Sequence, residues 1–105
     1  MKILITESKL EQVIFKYLDD KKFFIRETND NYYFLENEGG EYALIIVTKN
    51  ESDCIIYYGL FEELESFFSI DRGKSKYVLT KYVENTLNIK VTRSLPLYGV
   101  YYLDI

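Results

Sequence analysis

The chain has 105 residues, the size of one domain, long enough to bury over ~60% of the surface its unfolded form exposes, so no staple is required. Its formal net charge of -4, with the acids scattered, argues against an electrostatic grip on nucleic acid or anionic lipid, which needs clustered Lys and Arg. One cysteine excludes an intrachain disulfide, and the absence of histidine removes the usual zinc sets and the commonest general base.

The opening MKILI gives way directly to TESKLEQ, too short and too soon polar for a signal peptide, and no apolar run approaches a membrane span. The expectation is a soluble protein made in a reducing cytoplasm. Residues 2–5 predict a short strand. Thr6 or Ser8 then caps a helix running to about Asp20, with Ser8 and Glu11 at the spacing of a capping box. Leu10, Val13, Ile14, Tyr17 and Leu18 share one face of that helix; Lys9, Glu11, Gln12, Lys16 and Asp19 face out, and Phe15 sits at the flank.

FFIRET and YYFLEN are runs of strand formers around Asn29, Asp30 and Asn31, which predicts a hairpin. Glu38, Gly39 and Gly40 make the next turn. EYALIIVTK reads as a strand reaching Lys49, residues 50–53 as its return, and CIIYY as its partner, a central strand over 54–58 broken at Gly59. Residues 60–68 then form an amphipathic helix: Leu60, Phe61, Leu64, Phe67 and Phe68 make one stripe, with Glu62, Glu63 and Glu65 on the wet side. A third helix over about 74–87 buries Leu79, Val83 and Leu87 and shows Tyr77, Lys81, Glu84 and Asn88. IKVTR alternates as a half-exposed strand that Pro96 ends, and LYGVYYLDI closes the chain as a last strand. With no repeat, no low-complexity tract and no linker, residues 1–105 predict a single α+β domain of about six or seven mainly antiparallel strands with three helices.

The chemistry-bearing motifs are weak. GKS at 73–75 is the tail of a phosphate-binding loop, but the first glycine would stand where Phe68 is, in a segment that reads as helix. Arg72, Lys74 and the N–H groups opening the third helix leave a residual anion site, set against an ordinary basic loop. Cys54 lies in an apolar strand with no base to activate it and reads as inert packing. The helix glutamates lack the cooperating oxygen ligands of a calcium loop. No catalytic, cofactor-binding or metal-ligating residue is therefore assigned, and no cofactor is implied.

Tyrosine is the anomaly of the composition: 11 Tyr and 7 Phe make 17% of the chain aromatic. Tyr carries an apolar ring and a polar tip, which suits half-buried sheet surfaces and interfaces. Adjacent strand residues point to opposite faces, so the doublets Tyr32-Tyr33, Tyr57-Tyr58 and Tyr101-Tyr102 each send one ring to either side. Together with Tyr77 they are the candidate partner-binding residues. The runs ALIIV and CIIYY are apolar at every position, as strands covered on both faces are. Either the helices divide between the two faces, or one face meets a partner, or the sheet is wrapped by its own long side chains.

The stretch MKILITESKLEQVI resembles the starts of many small proteins encoded by tailed bacteriophages, which often begin MKI, then ITE or ISE, then a capped helix. The resemblance covers Met1 to about Ile14 and transfers no site residue. It implies a phage origin, with residence in the host bacterial cytoplasm or in the virion. The expected function is a non-enzymatic interaction or structural module, most concretely a small virion or assembly protein. The alternative is an inhibitor that binds a host or bacterial defence protein. An enzyme or small-molecule binder is the least favoured class. The partner is thus a protein, either another copy of the chain in a homo-oligomer or a host or virion protein, and neither nucleic acid nor membrane.

Overall fold

Thr28 organises the first hairpin. Its hydroxyl accepts the N–H groups of Asp30 and Asn31 at 3.4 and 3.1 Å, while its own N–H donates to the Asn31 carbonyl at 2.8 Å. This closes β1 (Phe24–Glu27) against β2 (Asn31–Leu35) in antiparallel register. The computed structural model describes residues 7–103. Before the hairpin comes α1 (Glu7–Asp20), and after it β3 (Tyr42–Thr48), β4 (Asp53–Tyr57), α2 (Tyr58–Phe68), α3 (Arg72–Leu87), β5 (Arg93–Leu97) and β6 (Tyr101–Tyr102). The predicted strand over 2–5 and the Thr6 cap lie outside the described residues. α1 already includes Ser8, so Ser8 is not its cap.

The strands form one sheet in the order β1-β2-β3-β4-β5, with β6 pairing the start of β3 at Ala43↔Tyr101 and Tyr42↔Tyr102. Every pairing is antiparallel except β4 with β5, which are joined through α2 and α3 and run parallel. The architecture is the expected α+β one, with three helices and a six-stranded, mostly antiparallel sheet among the described residues. A bulge after Phe34 shifts the β2–β3 register, with Phe34 opposite Ile45 but Leu35 opposite Ala43, so Leu44 is the extra residue.

All three helices pack on one face. Ile14 and Leu18 of α1, Leu60, Phe61 and Leu64 of α2, and Val78, Leu79, Tyr82 and Val83 of α3 join Phe34, Ile45, Val47, Cys54 and Ile56 of the sheet in one core. Pleat alternation sends Tyr33, Leu35, Ala43 and Ile46 to the other face, where they form a smaller buried cluster with Phe24, Ile55, Leu97 and Leu103 packed against it. Val13 departs from its expected inward position and is 51% exposed, because α1 turns Ile14 and Leu18 into the core, with Leu10, Phe15 and Tyr17 packed at its flanks.

Three element boundaries differ from expectation, each for a local reason. Gly59 does not break the chain but lies inside α2, without positive φ. Its missing side chain serves packing instead: a Cβ there would stand 2.5 Å from Cε2 of the Tyr57 ring. α3 begins at Arg72, two residues early, because Asp71 is extended and its carboxylate accepts the Lys74 N–H at 2.7 Å. The IKVTR strand starts only at Arg93 and runs through Pro96. Ile89 and Val91 pack against the helix-side core instead, and the Val91 N–H donates to Glu84 Oε2 at 2.8 Å, which draws Glu84 away from its expected outward position. Proline is tolerated because β5 lies at the edge of the sheet, paired on one side only. Of the expected final strand over 97–105, only Tyr101 and Tyr102 are strand among the described residues, and 104–105 lie outside them.

Asp53 and Arg93 are register partners, and their bidentate contact, with both distances 3.1 Å, ties the parallel pair together. On the helix side, Ser94 and Thr80 share a hydroxyl contact of 2.5 Å that anchors β5 to α3.

Candidate functional site

The candidate tyrosines separate into several groups. Tyr32 and Tyr33 divide between the faces as the pleat requires: Tyr32 packs against the helix-side core, with the Lys49 ammonium 4.8 Å from its ring, and Tyr33 is buried on the other face. Tyr101 stacks on Tyr33 at 6.0 Å and 17°, on the face where Ala43, small enough to pass beneath, pairs with Tyr101. Tyr102 stands on the opposite side, edge-on to Tyr42 at 6.3 Å, and Tyr42 meets Tyr57 at 6.5 Å.

The Tyr57-Tyr58 doublet does not alternate across a strand, because the strand ends between its members. Tyr57 is the residue before α2 and Tyr58 its first helical residue. The Tyr58 ring lies 4.5 Å from the Arg72 guanidinium and 5.0 Å from the Tyr98 ring. Tyr77 is exposed on α3, as its helical position predicts, between Lys74 and Lys81 at 5.3 and 5.7 Å. No single face gathers all seven tyrosines. Phe67, expected on the core stripe of α2, is 66% exposed, and of the two phenylalanines ending that helix only Phe68 packs on the core. Among the described residues, the exposed large apolar groups beyond the doublets and Tyr77 are Val13, Phe67, Leu95, Tyr98 and Val100, with Tyr98 the most open at 74%. The turn-forming sequence around Pro96 and Gly99 was the available signal, since an aromatic in a turn cannot be covered by its own sheet.

The residual anion site is accounted for by internal pairing. Arg72 pairs with Glu65, Asp71 occupies the Lys74 N–H, and the Lys74 ammonium lies 3.2 Å from Glu11. Two of the three α2 glutamates are therefore not a wet face: Glu65 holds Arg72 and accepts from Ser75, while Glu63 accepts from Tyr17 and pairs with Lys21 at 2.5 Å. Bonding from Arg72 is the chief influence that holds the Glu65 carboxyl below the usual range. Burial works against ionisation of Glu63, yet Lys21 and Tyr17 together outweigh it and its carboxyl is lowered. Burial first, and Glu63 second, push the Tyr17 hydroxyl up to about 12. Burial likewise pushes the Cys54 thiol up to about 12, so it stays protonated at neutral pH.

Glu63 also lines a cleft of about 300 Å³ that no sequence pattern announced. Its walls come from the segment after α1 (Lys21, Phe23), the residue after β2 (Glu36), the bulged start of β3 (Tyr42, Leu44) and the β4–α2 junction (Tyr57, Gly59, Leu60, Glu63). Three aromatic rings and two carboxylates thus surround one ammonium. Among the described residues no group of three or more Cys, Asp or Glu is placed to hold a metal ion, and no helix is long and apolar enough to cross a membrane. Compared with protein-family models, curated proteins and solved structures, the chain matches none.

Proposed function

We propose that the chain is a non-enzymatic protein-interaction module that works through its C-terminal region. The observation that carries this reading is a row of apolar register partners, Tyr33, Ile46, Ile55 and Leu95, which crosses the helix-free face from buried to exposed. Beyond Leu95, exposed Tyr98, Val100 and Tyr101 follow within seven residues, and Tyr102 is exposed on the opposite side of the sheet. Aromatic side chains of this kind, stiff and amphipathic, are the usual anchors of protein interfaces. The proline within edge strand β5 makes that edge a poor template for strand addition, so recognition runs through these side chains. Taken with the phage-like N-terminus, the concrete form of the proposal is a small virion or assembly protein that meets further copies of itself or another virion protein.

The test is size-exclusion chromatography with light scattering over a range of concentrations, on the parent chain and on a Tyr98→Ser/Tyr102→Ser variant. Assembly predicts a discrete oligomer that the double substitution dissolves without lowering the melting temperature. A monomer at every concentration overturns self-assembly and turns the reading to the inhibitor alternative, in which the same surface binds one host or defence protein.

A further inference from the structure

We infer that the cleft between the end of α1, the start of β3 and the start of α2 is a binding site for an organic cation, an alkylammonium or guanidinium group carried free or on a partner's side chain. The walls supply both halves of such recognition. Phe23, Tyr42 and Tyr57 line it with aromatic rings, whose π faces attract a weakly hydrated cation. Glu36 and Glu63 give it carboxylates, and they outnumber the single ammonium of Lys21.

The internal pairing decides which charge is left over. Glu63 is held at 2.5 Å by Lys21 and accepts the Tyr17 hydroxyl, so those two opposite charges cancel each other. Glu36 is exposed and has no ion-pair partner among the described residues, which leaves the cleft a net negative rim. An anion would need Lys21, already engaged, and would face both carboxylates. The start of α2 opposes a cation through its dipole, and the unpaired Glu36 is the group that offsets it. The shape depends on Gly59: any side chain there displaces the Tyr57 ring that forms one wall. The site does not rest on the interaction reading, since Tyr98 and Tyr102 do not line it.

The experiment is a nuclear magnetic resonance titration of isotope-labelled protein. The probes are choline, its neutral isostere dimethylbutanol, the blocked amino acids Nα-acetyl-lysine methylamide and Nα-acetyl-arginine methylamide, and butyrate. The cations are expected to shift the amides of Tyr42, Tyr57 and Gly59 saturably, with dimethylbutanol at least roughly fivefold weaker. Choline alone would assign the site to a free small cation, and the blocked amino acids to a side chain of a partner. Glu36→Gln, at an exposed position that leaves folding intact, is expected to weaken the cations roughly two- to fivefold and leave dimethylbutanol unchanged. Tyr42→Leu, which keeps bulk and removes the ring, should do the same. Equal binding of dimethylbutanol, saturation of these amides by butyrate, or no saturable shift with any probe would each overturn the inference, whatever the oligomeric state of the Tyr98→Ser/Tyr102→Ser variant.

Discussion

The two faces of the sheet are built to different depths. On one, three helices close over Phe34, Ile45, Val47 and Ile56, and Phe61, Leu64, Val78 and Leu79 arrive from above, almost all without solvent exposure. On the other, Tyr33, Leu35, Ala43 and Ile46 pack with Phe24, Ile55 and Leu97 of neighbouring strands and with Leu103, which stay partly exposed. The all-apolar runs of β3 and β4 are thus explained without dividing the helices between faces. Each strand serves a deep core through alternate residues and a shallow one through the rest. The shallow side thins toward β5, where Leu95 reaches solvent.

Truncation should expose this difference most strongly. Phe61→Ala removes a ring that is 1% exposed in the deep core and carries the Arg72 guanidinium 4.9 Å away, so it should cost about 3–5 kcal/mol in denaturant unfolding. Ile46→Ala, at 5% exposure on the shallow face, should fall near the lower end of its range, about 2 kcal/mol, because the partly exposed neighbours can close over the gap. Equal losses, after allowing for the larger ring, would mean the helix-free face is as rigidly packed as the other.

A smaller effect tests how β5, which bears the exposed end of the row, is held. The Arg93 guanidinium holds the Asp53 carboxyl below its ordinary value, chiefly through their hydrogen bonds. Because the folded-state value is the lower one, the stabilisation is fully present above the unfolded carboxylate value of about 3.9 and is lost as pH falls through the folded one. Asp53→Asn should therefore be less stable than the parent chain at neutral pH, and the two unfolding curves should converge in acid. Curves that stay apart at low pH would show that the neutral hydrogen-bonding geometry, not the charge, joins β4 to β5.

The deep side was far more legible from the residues than the exposed side. The hairpins follow from Asn and Gly at their turns, and the helices from apolar stripes at the 3.6 period; such signals are local, and local chemistry fixes them. In sequence Pro96 reads as a terminator, because an isolated proline carries no sign that its strand lies at an edge. Glu63 was read as solvated because its partners, Tyr17 and Lys21, lie more than forty residues earlier, beyond any helical or strand period. The cleft was invisible for the same reason: Lys21, Glu36, Tyr42, Tyr57 and Glu63 meet only through the sheet order. Among the tyrosines, the outward placement of Tyr77 and the splitting of Tyr32 from Tyr33 were readable, whereas the strand-to-helix switch between Tyr57 and Tyr58 was not.

That switch supplies the smallest and most diagnostic effect. Gly59→Ala gains about 1 kcal/mol of helix propensity inside α2, and it loses the packing of the Tyr57 ring, which the new methyl must push aside. The two changes oppose each other, so the net change in stability should stay within about 1 kcal/mol and says little alone. The cycle with Tyr57→Ala separates them: with the ring gone, Gly59→Ala should stabilise by about 1 kcal/mol, and the difference between backgrounds measures the ring-to-backbone contact. Identical effects in both backgrounds would mean that the ring yields at no cost and that the glycine was not needed at the cleft wall. A clear coupling would mean that the residue read as a chain break is what brings the aromatic wall against the helix.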